Sequence, residues 1–390
     1  MSVFLGPYIK ERPEPSVSIF PVRHNQLQSE PTLDEHERLR YIEYFQKKLL
    51  REGTEHFLSE QKQWFQLNRS RLAAEYDAIV KSRSDDVSAL DNPFLTHQDQ
   101  TEYDSVFTRL IFEPILSKAH QASSKLGYLI RRPVVLANAP SVEPTPAGVP
   151  STDSHILFIG QGTFSFCNYW AKVFTAAIYT AGTISKQGGS KDSVAAAIGT
   201  DPVILQTVRL VLRYVRSESL IGFGKFKEKQ HLQPFRVLLV TAMETFIVGH
   251  ELAHFFLHEK YPELNGVPPG MTPREVELLC DALGFAICAV VGETDKNEVS
   301  RHLIGPLLLL YALKLTEDVQ NTLLDLRPQI SDTHPGLSER IQSLFMFAKT
   351  TDPTGSLSSS MEEALGYAVT VGAHVKTILM SIQDESISDA

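Results

Sequence analysis

The chain has 390 residues, long enough to bury a sizeable core and to form two or three domains. Apolar residues make up 43% and charged residues 21%, the proportions of a soluble globular protein. The formal charge of −9 argues against a general nucleic-acid binder, which needs a basic face to neutralise phosphates.

Residues 1–30 are Pro-rich and aperiodic and read as an extended or disordered lead; "MSVFLGPYIKERPEP" lacks the pattern of a signal peptide. From Thr32, a plausible N-cap, Leu39, Ile42, Phe45, Leu49, Phe57, Trp64, Leu72, Tyr76 and Ile79 recur at helical spacing. This predicts one long helix, or a helical hairpin broken near Gly53. A further helix over 104–127 completes an N-terminal helical region, residues 31–128. "RRPVVLAN" and "HILFIG" read as two strands joined by the Pro/Ser/Thr loop "APSVEPTPAGVPSTDS", which predicts a hairpin in a small antiparallel sheet.

Helices are predicted over 163–180, 203–218, 232–260, 273–292, 297–315, 335–349 and 360–382. "GTISKQGGSKDS" and "GFGKFKEKQ" read as connectors, the second a surface loop or a cover for a cleft. Arg209, Arg213 and Arg216 fall on one helix face and read as solvated. The apolar stretches "DALGFAICAVVG" and "LIGPLLLLYALKL" are shorter than the roughly 18 residues of a membrane span and read as buried helices. Cys167, Cys280 and Cys288 form no close pair, which speaks against a disulfide scaffold or a cysteine-ligated zinc site. The expected location is cytoplasmic, with no membrane span and no nucleic-acid partner. Residues 351–390 read as a C-terminal helix and acidic tail.

The chemistry concentrates in "GHELAHFFLHE". On a helix, His250 and His254 lie one turn apart on one face and can share a metal ion. Glu251 lies about 100° round the helix, placed to act on a metal-held water as general base without ligating the ion. Zinc hydrolysis needs this division: protein ligands hold the ion, water takes the open position, and a carboxylate takes its proton. The third ligand is sought downstream. The metzincin position holds Lys260 rather than histidine, and His258 lies roughly 12 Å of helix rise from His250. In "TPREVELLCDALGFAI", Thr272 can cap a helix with Pro273 in its first turn. Glu277 then completes the set, and Asp281, four residues on, can orient a ligand histidine from behind. Glu275 is the alternative, about 160° away from Glu277.

HExxH followed about two dozen residues later by ExxxD resembles the gluzincin zinc peptidases in their HtpX-like version. "VVLANAP…HILFIGQGTF" looks like that family's asparagine–alanine turn and substrate-pairing edge strand. "DTHPGLSERIQSL" looks like its downstream His-Pro…Glu-Arg-Ile segment. The resemblance implies an α+β, predominantly helical fold with a zinc-peptidase domain over 129–350. It implies Zn2+ on His250, His254 and Glu277, and Glu251 as base. It implies His334 near the oxyanion, and Arg340 bracing the site through a carboxylate such as Asp281. The family's membrane helices have no counterpart here, its short glycine turn is replaced by a long Pro-rich loop, and the N-terminal helices are additional. Three readings follow: a soluble zinc endopeptidase acting on a protein or peptide substrate; a Lit-like, phage-triggered defence protease with one cellular target; or a regulatory protein with a structural metal site and a partner bound at its N-terminal helices.

Overall fold

Leu239, Val240, Ala242, Met243, Phe246, Ile247 and Val248 point all round one helix, and all are buried. A helix that is apolar on every side belongs at the centre of a fold, and this one, α8 (Gln233–Lys260), sits there. The computed structural model describes residues 35–50, 55–83, 92–96, 98–141, 143–151, 153–224, 226–294, 299–323, 334–352 and 354–388. The predicted lead over 1–30, the Thr32 cap and the break near Gly53 lie outside these residues.

In chain order the helices before the sheet are α1 (Glu35–Leu49), α2 (Glu55–Arg83), the short α3 (Pro93–Thr96) and α4 (Val106–Lys125). The sheet consists of β1 (Val134–Asn138), β2 (Ala147–Val149) and β3 (His155–Ile159). After it come α5 (Gln161–Lys186), α6 (Lys191–Thr200), α7 (Pro202–Ser217), α8, α9 (Pro273–Thr294), α10 (Val299–Leu323), α11 (Leu337–Thr351) and α12 (Ser356–Ser388). The fold is α+β and predominantly helical. α6, which lies partly in a predicted connector, and the four-residue α3 are the helices the periodicity missed. Ser190 caps α6 by accepting from the Ser193 amide, and Asp201 does the same for α7 at Val203, with Pro202 in the first turn.

α4, α5, α9 and α10 pack around α8. The closest approaches occur where glycine stands. A Cβ on Gly284 of α9 would lie 2.9 Å from the His250 backbone nitrogen, and one on Gly249 would lie 3.1 Å from the Gly284 Cα. Gly305 of α10 meets Ala242 in the same way, at 2.5 Å. By length and composition the stretch Gln230–Lys260 is one that could cross a bilayer, but it is the buried centre of this bundle; α6 and α7 meet that measure only as a pair bent by 62°.

The expected hairpin of "RRPVVLAN" with "HILFIG", and the antiparallel sheet it implied, do not form. β1 and β3 run parallel, Val134 opposite His155 through Asn138 opposite Ile159. The hairpin partner of β3 is β2, antiparallel, with Gly148 opposite Leu157. β2 lies inside the segment read as a loop, between Pro146 and Pro150. The order β1-β3-β2 makes the sheet mixed and puts "HILFI" at its centre, not at its edge. All five of its residues are buried, as a strand covered on both faces requires. Ile156 and Phe158 face α1, where Ile42, Phe45 and Leu49 pack on them, while Leu157 and Ile159 face the main core. Buried Gln46 of α1 ties the layers together, donating to the Asn138 carbonyl at 2.8 Å.

The Gly249–Gly284 crossing generates a test. Gly284→Val forces α8 and α9 apart and lowers stability by about 1–3 kcal/mol. A denaturant midpoint unchanged from wild type would show that the crossing tolerates a side chain.

Candidate metal centre

α9 starts with a capping box, Thr272-Pro273-Arg274-Glu275. The Glu275 carboxylate accepts from the Thr272 amide at 2.7 Å, and the Thr272 hydroxyl accepts from the Glu275 amide at 3.3 Å. Glu275 is thereby committed to the helix end and exposed. Two residues on, Glu277 turns inward to α8.

There the three predicted ligands meet. His250 Nε2 and His254 Nε2 lie 3.1 Å apart. Glu277 Oε2 is 3.5 Å from the first and Glu277 Oε1 is 3.4 Å from the second. Ligand atoms at about 2.0–2.1 Å from a tetrahedral ion stand about 3.3–3.4 Å from one another, so this triangle has the size of a ligand set. The three side chains could hold a metal ion, and among the described residues no fourth side chain of ligating type joins the group. His258 lies outside it, buried two turns along α8.

Behind the triangle, fully buried Asp281 lies 3.0 Å from His250 Nδ1. Arg340 of α11 grips the same carboxylate with two bonds, Nε to Oδ2 at 2.7 Å and Nη2 to Oδ1 at 2.6 Å. Asp281 thus turns His250 so that Nε2 points to the ligand group. His334, 43% exposed at the rim, places Nε2 at 3.7 Å from Glu277 Oε1. An ion pair of Arg274 with Glu339 straps α9 to α11 on the outside.

The charges explain the titration behaviour. Burial alone would lower the His250 pKa; the carboxylates of Asp281 and Glu277 outweigh it and hold it up at about 10. Burial would raise Glu277, but the imidazoles of His250, His254 and His334 hold it well below the usual carboxylate range. Asp281 is held low in the same way, against its burial, chiefly by Arg340.

Glu251 differs. It follows His250, stands outside the three-residue group, and its carboxylate lies against Gly148 of β2. Burial lifts its pKa to about 7, against the lowering influence of His250, Arg340 and the Gly148 amide that hydrogen-bonds to it. A Cβ on residue 148 would lie 2.6 Å from Glu251 Oε2 and 3.0 Å from the Phe255 ring, so a side chain there has to displace the Glu251 carboxylate.

The connector at "GFGKFKEKQ" does not roof the cluster. Tyr169 of α5 donates to the Gly224 carbonyl at 2.9 Å, and the segment joins α8 at Gln233. That end is about 25 Å of helix from His250. Arg209 and Arg216 are exposed, and Arg213 reaches back towards the Ile221 carbonyl.

No protein-family model, curated protein or solved structure matches this chain. The site therefore stands on its geometry. Sequence reasoning missed Gly148, hidden in a three-residue strand among prolines. It also missed the Gly249–Gly284 crossing, although glycine seven residues after Glu277 and directly before His250 was a readable sign of close helix contact.

Two outcomes are expected. Asp281→Asn leaves the half-buried Arg340 without its counter-charge and His250 without its orienting carboxylate. Stability falls by about 3–5 kcal/mol and metal affinity about 10–100-fold, read by denaturation and by metal titration. His250, with its pKa at about 10, is protonated at pH 7, whereas ligation needs it neutral. Metal binding at pH 7 accordingly releases a proton, and affinity climbs as pH rises towards 10. Calorimetry in buffers of different ionisation enthalpy measures this, and a buffer-independent heat would contradict it.

Proposed function

We propose that the protein is a zinc-dependent endopeptidase with a gluzincin-like core. The observation that carries the reading is the placement of Glu251: beside a ligand histidine, outside the ligand group, held under an edge strand, with a pKa near 7. A structural metal site has no use for such a group, and structural zinc is normally closed by four protein ligands. Two imidazoles, one carboxylate and an open position suit catalytic zinc.

Zinc, when bound by His250, His254 and Glu277, supplies a Lewis acid that polarises the scissile carbonyl and acidifies a water. The protein's own groups do the rest. Glu251 takes a proton from the attacking water at a carboxylate oxygen and passes it to the departing amine, work for which a pKa near the operating pH is suited. Asp281 and Arg340 hold the His250 ring in its ligating tautomer. His334 donates from a ring nitrogen to the oxygen of the tetrahedral centre. The substrate lies extended and pairs with an edge of the sheet. Because β3 is central, that edge is β2, the strand lying on Glu251, and not "HILFI".

Glu251→Gln should lower cleavage by about 10²–10⁴-fold while the protein still binds zinc with unchanged stoichiometry. Comparison of new protein N-termini in cells expressing wild type and Glu251→Gln reads this directly. Equal sets of cleavages would sink the mechanism, and a bound zinc closed by a fourth protein ligand would favour the structural reading. Gly148→Ala is the companion test: its Cβ displaces the Glu251 carboxylate, so activity falls while metal content holds.

A further inference from the structure

α8 presents three side chains at i, i+4 and i+8 to the sheet: Glu251, Phe255 and Glu259. Glu251 meets β2 at Gly148. Glu259, two turns further, accepts three hydrogen bonds, two from the segment leading into β1 and one from β3. Its Oε2 receives the Arg131 amide at 2.8 Å, and its Oε1 receives the Arg132 amide at 2.9 Å and His155 Nε2 at 2.9 Å. Arg131 and Arg132 lead into β1, and His155 opens β3. Between the two carboxylates, the His155 ring stacks flat on Phe255, with centroids 4.6 Å apart and planes 6° apart. The edge of Phe255 in turn limits the space at Gly148.

His155 is fully buried, and its Nδ1 has no hydrogen-bond partner among the described residues. Burial lowers its pKa; facing the Glu259 carboxylate, which can only accept, Nε2 is the donor of this contact. A buried imidazole with one nitrogen unpaired is a cost that packing alone does not require. The bond to Glu259 is what this residue is placed to make.

We infer that Glu259 is a positioning residue that clamps β1 and β3 to α8 and so fixes the height of the β2 edge, and of the Gly148 amide, over Glu251. Its bearing on catalysis rests on the peptidase reading; the clamp itself does not. The carboxylate never touches a substrate. It acts through the sheet, which pivots about Phe255 if one end is released.

The test reads the Gly148 amide. In the zinc-loaded full chain, nitrogen-15 NMR follows hydrogen exchange at Gly148, with Val211 in α7 as a distant reference. Glu259→Ala should speed exchange at Gly148 at least about tenfold relative to Val211. Glu259→Gln keeps the shape but sets a donor against the Arg131 amide, and should act in the same direction by a smaller factor. His155→Phe, which keeps the stack and removes the Nε2 bond, should do likewise. A merely structural role would speed both amides alike, and that result, or an unchanged Gly148 in the folded Glu259→Gln protein, overturns the clamp. Cleavage of labelled casein by the same proteins separates the two ideas. A clamp that passes by exchange in a wild type with no zinc-dependent cleavage condemns the peptidase reading alone. Where wild type cleaves, loss in Glu259→Gln should fall mainly on long peptides that can reach β2, and tripeptides should be spared.

Discussion

At Gly249 and Gly284 neither α8 nor α9 has room for a Cβ, and the rest of the molecule depends on that closeness. Helices normally pack 8–10 Å apart, the distance set by the side chains between them. With glycine at the crossing, Glu277 comes within 3.5 Å of His250 and 3.4 Å of His254. Asp281, one turn further along the same face, falls behind His250 rather than beside it. Gly305 repeats the device on another side of α8, so the helix that carries the site is gripped where side chains are smallest. Such a helix has little freedom to tilt, and the ligand triangle inherits that rigidity.

The core solves the problem of buried acids in two ways. Asp281 stays ionised, because Arg340 and His250 surround it. Glu244, also buried on α8, has only burial acting on it, which pushes its pKa well up. Desolvation is common to both; the difference is the supply of counter-charge. Glu251 falls between these limits, and an intermediate pKa is the outcome.

The helices were legible because their signals are long. Apolar spacing over twenty or more residues survives one or two misplaced positions, and α8 and α9 were readable to within two residues. The grouping of His250, His254 and Glu277 was legible because i, i+4 geometry and a capped helix leave few ways to bring such side chains together. Thr272 even announced that Glu275 belonged to the helix end. The sheet was not legible. β2 has three residues, too few for an alternating pattern, and four prolines in the segment that contains it spell a loop. Without β2, the two obvious strands could only be imagined as partners in a hairpin. The Glu259–His155 contact joins residues 104 positions apart, and no local pattern reports it.

Pro146 and Pro150 bracket β2, and their consequence reaches beyond the fold. Proline has no amide hydrogen, so the outer edge of β2 cannot lengthen at either end. Within the three residues, alternate amides face alternate sides, and the one at Gly148 is turned to Glu251 rather than to β3. If the protein is the peptidase proposed above, a substrate chain pairing here would find only a residue or two of free strand. That is too little main-chain pairing to retain an arbitrary unfolded polypeptide, and too little to recruit a second copy of the sheet. Under that proposal, residence at this edge would be decided by side chains and surfaces outside it, and the interrupted strand would act as a filter on what stays bound.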